Sequence, residues 1–201
     1  MANSTLVGKV QTVLGLISGD ELGITLPHEP LLADLSCAFA LPDEASQRGR
    51  AYEPVGMENL GWLRYHSFEN LDNLRLLDER EAIDEALLFK MAGGESIVDC
   101  TINGIGRDPE GLARIARSTG LNIIMGSGYY TAPSHTPALS DLSEEQVFAE
   151  IVRDIETGVD DSGIKAGIVG EIGCSWPLDD NERKVLRAAA RAQQHTGACL
   201  S

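Results

Sequence analysis

From residue 96 onward, apolar and polar positions switch between the short runs of strands and the spacing of helices. Ser96-Ile97-Val98-Asp99-Cys100-Thr101 and Asn122-Ile123-Ile124-Met125-Gly126 predict two strands. Between them, Asp108 caps a helix with Pro109 at its first position. Leu112, Ile115 and Ala116 lie on one face of that helix, and Gly120 stops it. Ser143 and Gln146 form a capping-box pair ahead of Val147, Ile151 and Ile155, spaced by four, and Gly158 ends the helix. The run from Ala166 to Gly173 predicts a third strand. A helix over about Asn181 to His195 follows, with Val185, Leu186 and Ala189 inward and Gly197 as terminator. Upstream, Asp78 and Glu81 open a helix that buries Ile83, Leu87 and Met91, and Ile24 to His28 predicts another strand. Gly8 to Leu26 has the pattern of a hairpin. Cys37 to Asn73, which includes Trp62, is irregular and predicts a long loop with room for one helix.

Repeated β-α units imply a parallel α/β sheet with right-handed crossovers, either an open doubly wound sheet or a (β/α)8 TIM barrel. About four strand-helix units are present, and Ala198-Cys199-Leu200-Ser201 begins what reads as a fifth strand. A barrel takes roughly 250 residues, so the barrel reading makes residues 1–201 one truncated domain of about half a barrel.

Charge narrows the partners. The chain has 31 acidic and 16 basic residues, a net charge of −15. No basic surface is available to neutralise phosphates, which argues against nucleic acid and anionic membranes. No apolar stretch approaches the roughly 20 residues of a membrane span, and Val13 to Ile17 lacks the flanks of a secretion signal. Cys37, Cys100, Cys174 and Cys199 form no C-x-x-C pair, which predicts reduced thiols in the cytoplasm.

One residue breaks the apolar pattern: Glu171 follows Ala166-Gly167-Ile168-Val169-Gly170. A carboxylate buried in such a run is costly unless it is paired with a cation or bound to a metal. His28, at the end of the first predicted strand, is a second candidate. A His-x-His pair there would aim two imidazoles at one metal, but the second position is Pro30, which has no ligand atom. Arg107, in the Gly104-Ile105-Gly106-Arg107-Asp108 turn, could reach over the strand ends to an anionic substrate group or to a neighbouring acid. Gly126-Ser127-Gly128-Tyr129-Tyr130-Thr131 superficially resembles a dinucleotide-binding turn. The match fails because Thr131 holds the third glycine position and prolines follow where the helix should start. Tyr129 or Tyr130 would meet the active-site face of a barrel. His66, His135 and His195 show no ligand spacing.

These stretches together resemble the phosphotriesterase family of the amidohydrolase superfamily, in its phosphotriesterase-related subgroup. The resemblance runs through Gly8 to Gly15, Leu22 to Glu29, Val98 to Asp108, Gly126 to Tyr130 and Lys165 to Leu178, the last with Gly170-Glu171-Ile172-Gly173-Cys174-Ser175-Trp176-Pro177. It implies a (β/α)8 barrel with a binuclear divalent metal centre, usually two zinc ions, at the C-terminal ends of the strands. His28 matches the first strand-1 ligand and Glu171 the bridging carboxylate on strand 4. Tyr130 matches a substrate-contacting aromatic, and Arg107 would face an acidic head group. The remaining ligands and the catalytic aspartate match no residue of this chain. The implied reaction is hydrolysis of ester or N-acyl amide bonds in small molecules such as N-acetyltaurine, by hydroxide generated at the metals. The alternative is a truncated, non-catalytic product. A homo-oligomer fits either reading.

Overall fold

The computed structural model describes residues 7–201. The chain opens with an antiparallel hairpin of β1 (Lys9–Thr12) and β2 (Gly15–Ser18), as the pattern predicts. Then come β3 (Thr25–Glu29), β4 (Ala33–Asp34), the short helix α1 (Leu60–Leu63) and β5 (Arg75–Leu76). Next are α2 (Glu79–Met91), β6 (Ser96–Asp99), α3 (Pro109–Thr119), β7 (Asn122–Ser127) and α4 (Pro137–Asp141). The chain continues with α5 (Glu144–Glu156), β8 (Ile168–Val169), α6 (Asp180–Thr196) and β9 (Cys199–Leu200). The long segment between β4 and β5 is mostly irregular, with 3-10 turns and α1 as its one short α-helix, and β4 and β5 pair antiparallel to close its base.

The main sheet is parallel, in the order β3-β6-β7-β8-β9. Strand order equals chain order, as in a barrel wall; an open doubly wound sheet would reverse direction. The sheet is curled, with α2, α3, α5 and α6 on its convex side. Ile97, Ile123 and Met125 point outward to Leu112, Ile115 and Ala116 of α3 and to Ala82 and Ala86 of α2. Val169 packs against Val147 and Ile151 of α5 and against Val185, Ala188, Ala189 and Ala192 of α6. The β1–β2 hairpin covers the sheet's N-terminal end, where Val13 N–H donates to the Ile123 carbonyl at 2.8 Å.

The predicted caps are present. The side chains of Asp78, Asp108 and Ser143 accept from first-turn N–H groups, and Ser143 with Gln146 closes a capping box. Two expected inward positions and the extent of one strand are corrected. Met91 is 82% exposed because the buried line of α2 runs through Ala82 and Ala86 and gives out before the last turn. Leu186 is 39% exposed because α6 presents Glu182, Val185, Ala188, Ala189 and Ala192 inward, a stripe of mostly small side chains that lets α5 approach closely. The strand expected over Ala166 to Gly173 is regular only at Ile168–Val169, so Glu171 lies past its end.

Candidate functional site

The C-terminal ends of β3, β6, β7 and β8 form the rim of the concave face. His28 is the fourth residue of β3, and Glu171 is the second residue after β8. Gly170 makes the turn from the end of β8 to Glu171 possible. Its φ of 127° ends the strand, and a Cβ there would lie 2.5 Å from the Ser201 carbonyl oxygen. In a flat sheet, β3 and β8 would be three strand spacings apart, about 14 Å. Side chains standing perpendicular to a flat sheet would not meet across that gap. Here His28 Nε2 lies 2.8 Å from Glu171 Oε2, with the side chains 49% and 25% exposed. Curling makes inward side chains converge.

Glu171 is therefore at a solvent-reached rim and not in the apolar interior that its sequence context suggests. Its partner is a histidine, not an arginine. The neighbourhood is acidic. Cys100 is buried, and burial together with the charges of Glu171, Asp99 and Glu29 pushes its thiol up to about 12. The Tyr130 phenol is raised above its ordinary value, first by burial and then by the charge of Glu171. Its carbonyl lies 2.7 Å from His135 Nε2. Tyr129 points the other way, into the helix layer, where its hydroxyl donates to Glu150 at 2.9 Å.

Arg107 goes to a neighbouring acid. Its guanidinium is 5% exposed and lies 2.8 Å from Asp154 Oδ2, which is fully buried. It also donates to the Gly126 carbonyl at 3.3 Å and to Asn103 Oδ1 at 3.1 Å. This places the charge behind the strands, between β7 and α5, away from the His28–Glu171 rim.

The donor set suits a divalent cation in kind: one imidazole nitrogen and one carboxylate oxygen amid acidic charge. Two donors fill half of the four positions a zinc ion takes. Pro30 adds none, and no group of three His, Cys, Asp or Glu side chains gathers among the described residues.

Three buried carboxylates, one of them behind the strands, escape a reading based on single motifs. Asp99 ends the strand Ser96–Asp99 with no exposed surface, so the argument that singles out Glu171 applies equally to it. It accepts from Leu31 N–H at 2.7 Å and Thr101 N–H at 2.9 Å, which pins the loop that follows His28. Glu182 completes a capping box with Asp179, a signature visible in Asp179-Asp180-Asn181-Glu182. Asp154 continues the inward line Val147, Ile151 of α5.

Burial raises the Asp99 carboxyl to about 6, against the opposing pull of its backbone donors. Its folded-state value thus lies above its unfolded one near 3.8. The stability it contributes is complete below about pH 4 and is lost as pH rises through 6. The rise from 3.8 to about 6 corresponds to about 3 kcal/mol. Subtracting the urea-derived stability of Asp99→Asn from that of the natural protein should give a difference that falls by roughly this amount between pH 4 and 7. A flat difference would refute the assignment.

The Phosphotriesterase family model matches residues 8–201. N-acetyltaurine hydrolase from Homo sapiens is 45% identical over 195 residues, covering 96% of this chain and 56% of that protein. The N-acetyltaurine hydrolase of Dictyostelium discoideum is 39% identical over 215 residues, covering 97% of this chain and 58% of its own. Among solved structures, a resiniferatoxin-binding protein from Rhodobacter sphaeroides superposes with a TM-score of 0.93 at 42% identity, over 95% of this chain and 53% of the other. The phosphotriesterase homology protein from Escherichia coli, with phosphate in its active site, gives a TM-score of 0.70 at 28% identity, over 90% of this chain and 52% of the other. The chain thus spans little more than half the length of the relatives it matches. With the curled parallel half-barrel and the match along nearly its whole length, this chain belongs to the phosphotriesterase family.

Proposed function

We propose that the protein works as a metal-dependent hydrolase of small molecules, cleaving ester or N-acyl amide bonds, with N-acetyltaurine-like acyl amides as the leading substrate class. The observation that carries this reading is the meeting of His28 and Glu171 at 2.8 Å across the mouth of the curled sheet. The N-acetyltaurine hydrolases among its relatives support the substrate class. His28 and Glu171 would hold a divalent cation, zinc in our reading and two ions in the complete site. When bound, such a metal supplies Lewis acidity and lowers the pKa of water.

The chain's own residues do the rest. Glu171 holds negative charge at the mouth and orients His28. Tyr130, whose phenol burial and the Glu171 charge push further up, offers an O–H donor to the substrate from the loop after β7. Arg107 has no part in substrate contact in this reading, because Asp154 already occupies it. Among the described residues no helix is long and apolar enough to cross a membrane. The four cysteines are free thiols, which supports a reducing, cytoplasmic setting.

The test is a substrate panel offered to the intact protein: N-acetyltaurine, other N-acyl amino acids, a lactone and a phosphotriester. Turnover of an N-acyl amide is expected, lost on chelation and restored by added zinc. Absence of turnover on every substrate, or turnover indifferent to the chelator, would sink the proposal. The donor count among the described residues favours a second reading, weak zinc binding without catalysis. The same assay decides between the two.

A further inference from the structure

The loops after β7 and β8 run against one another. Gly170 N–H donates to the Ser127 carbonyl at 2.8 Å, and Gly173 N–H to the Tyr129 carbonyl at 3.2 Å. At Gly173 a Cβ would collide with Thr131 N and the Tyr130 carbonyl carbon, so the backbones touch where a side chain would part them. One loop carries Tyr130 and the other Glu171. Beneath both sits Glu182, fully buried in the first turn of α6.

Its two oxygens are divided. Oε1 accepts from Ala132 N–H at 2.9 Å, two residues beyond Tyr130. Oε2 accepts from Ser175 N–H at 2.8 Å, from Ser175 Oγ at 2.7 Å and from Asp179 N–H at 3.1 Å, four to eight residues beyond Glu171. We propose that Glu182 is a positioning residue that sets the substrate wall against the metal-ligand loop, one carboxylate oxygen to each. Burial would raise its pKa, but the Ser175, Ala132 and Asp179 donors outweigh burial and hold it down at about 2, so it remains an acceptor on both sides. A capping box alone needs only the contact to Asp179. The contacts to Ala132 and Ser175 go beyond capping and join two loops that α6 does not otherwise need. The inference rests on the hydrolase reading for its functional consequence, but not for the loop coupling itself.

Two variants separate the halves. In Glu182→Gln the amide has one oxygen, and placing it on the three donors of the β8 loop turns its NH2 against Ala132 N–H. The Ala132 amide should then exchange at least about 10-fold faster while Ser175 stays protected. KM should rise about 10-fold, with zinc affinity held within about 3-fold. Ser175→Ala weakens the other side. Zinc affinity should fall about 10-fold, the lower end for residues that orient a ligand, with KM unchanged. Hydrogen exchange, zinc titration and the KM-against-kcat split on the intact protein read these out. Equal loosening of both loops in Glu182→Gln, an unchanged Ala132 amide, or the same kinetic change in both variants overturns the proposal. If His28→Ala and Glu171→Ala leave zinc affinity intact, the hydrolase reading fails, and the exchange pattern still decides the coupling.

Discussion

Glu171→Ala is expected to lose bound metal and to lower kcat/KM by roughly 10³-fold or more, with little change in stability. Groups that only orient a metal ligand cost 10- to 100-fold in affinity or activity when removed, so loss of the ligand proposed here should cost more. The fold should tolerate the change because Glu171 is at the rim, past the end of β8, with its side chain 25% exposed. Its partner is His28, itself 49% exposed, and exposed pairs contribute about 0–1 kcal/mol. Glu171→Gln keeps the shape and removes the charge, so it separates the two. Metal content, kcat/KM and the melting temperature of each variant, with His28→Ala alongside, provide the check. Full metal content and activity in Glu171→Ala would remove Glu171 from the site. A large drop in melting temperature would instead make it a structural residue.

The largest stability effect is expected at Asp154. Asp154→Ala should destabilise the protein by about 3–5 kcal/mol, because it leaves the Arg107 guanidinium buried without a counter-charge. At about 2–4 °C per kcal/mol for a domain of this size, the melting temperature should fall by roughly 6–20 °C. Asp154 also accepts from Ser127 Oγ at 2.9 Å, and Arg107 donates to Asn103, whose amide in turn donates to Glu150. Tyr129 closes the chain on Glu150. The network ties β7 and the turn after β6 to α5, and a partly satisfied network is costly. Removing both charges, as in Asp154→Ala with Arg107→Met, should cost clearly less than the two single changes added together. Thermal melts of the four proteins measure the coupling. Additive losses would show that the pair is not the source of the stability.

Much of the fold was legible because it is written in local periodicity. The Asp108-Pro109 start of α3 and the Ser143–Gln146 box of α5 appear where the sequence places them, because a cap needs only residues within one turn. Leu186 and Met91 face solvent for a tertiary reason. Which helical stripe faces inward depends on the neighbour: α6 turns its alanines to α5, and the buried line of α2 gives out before Met91. Asp154 and Glu182 carry charge into buried positions, and a single chain pattern does not show which donors will surround them.

The sequence by itself determined the alternation of strands and helices, the helix caps, the acidic charge and the unusual carboxylate at Glu171. Those depend on residues within a few positions of one another. Only the tertiary structure decided that Glu171 faces His28 across 143 positions of chain, that Arg107 faces Asp154 and not the mouth, and that Glu182 links two loops. The reason is the curl of a parallel sheet whose strands stand in chain order: it turns one face of the sheet into a concave mouth, and the inward side chains of distant strands converge there.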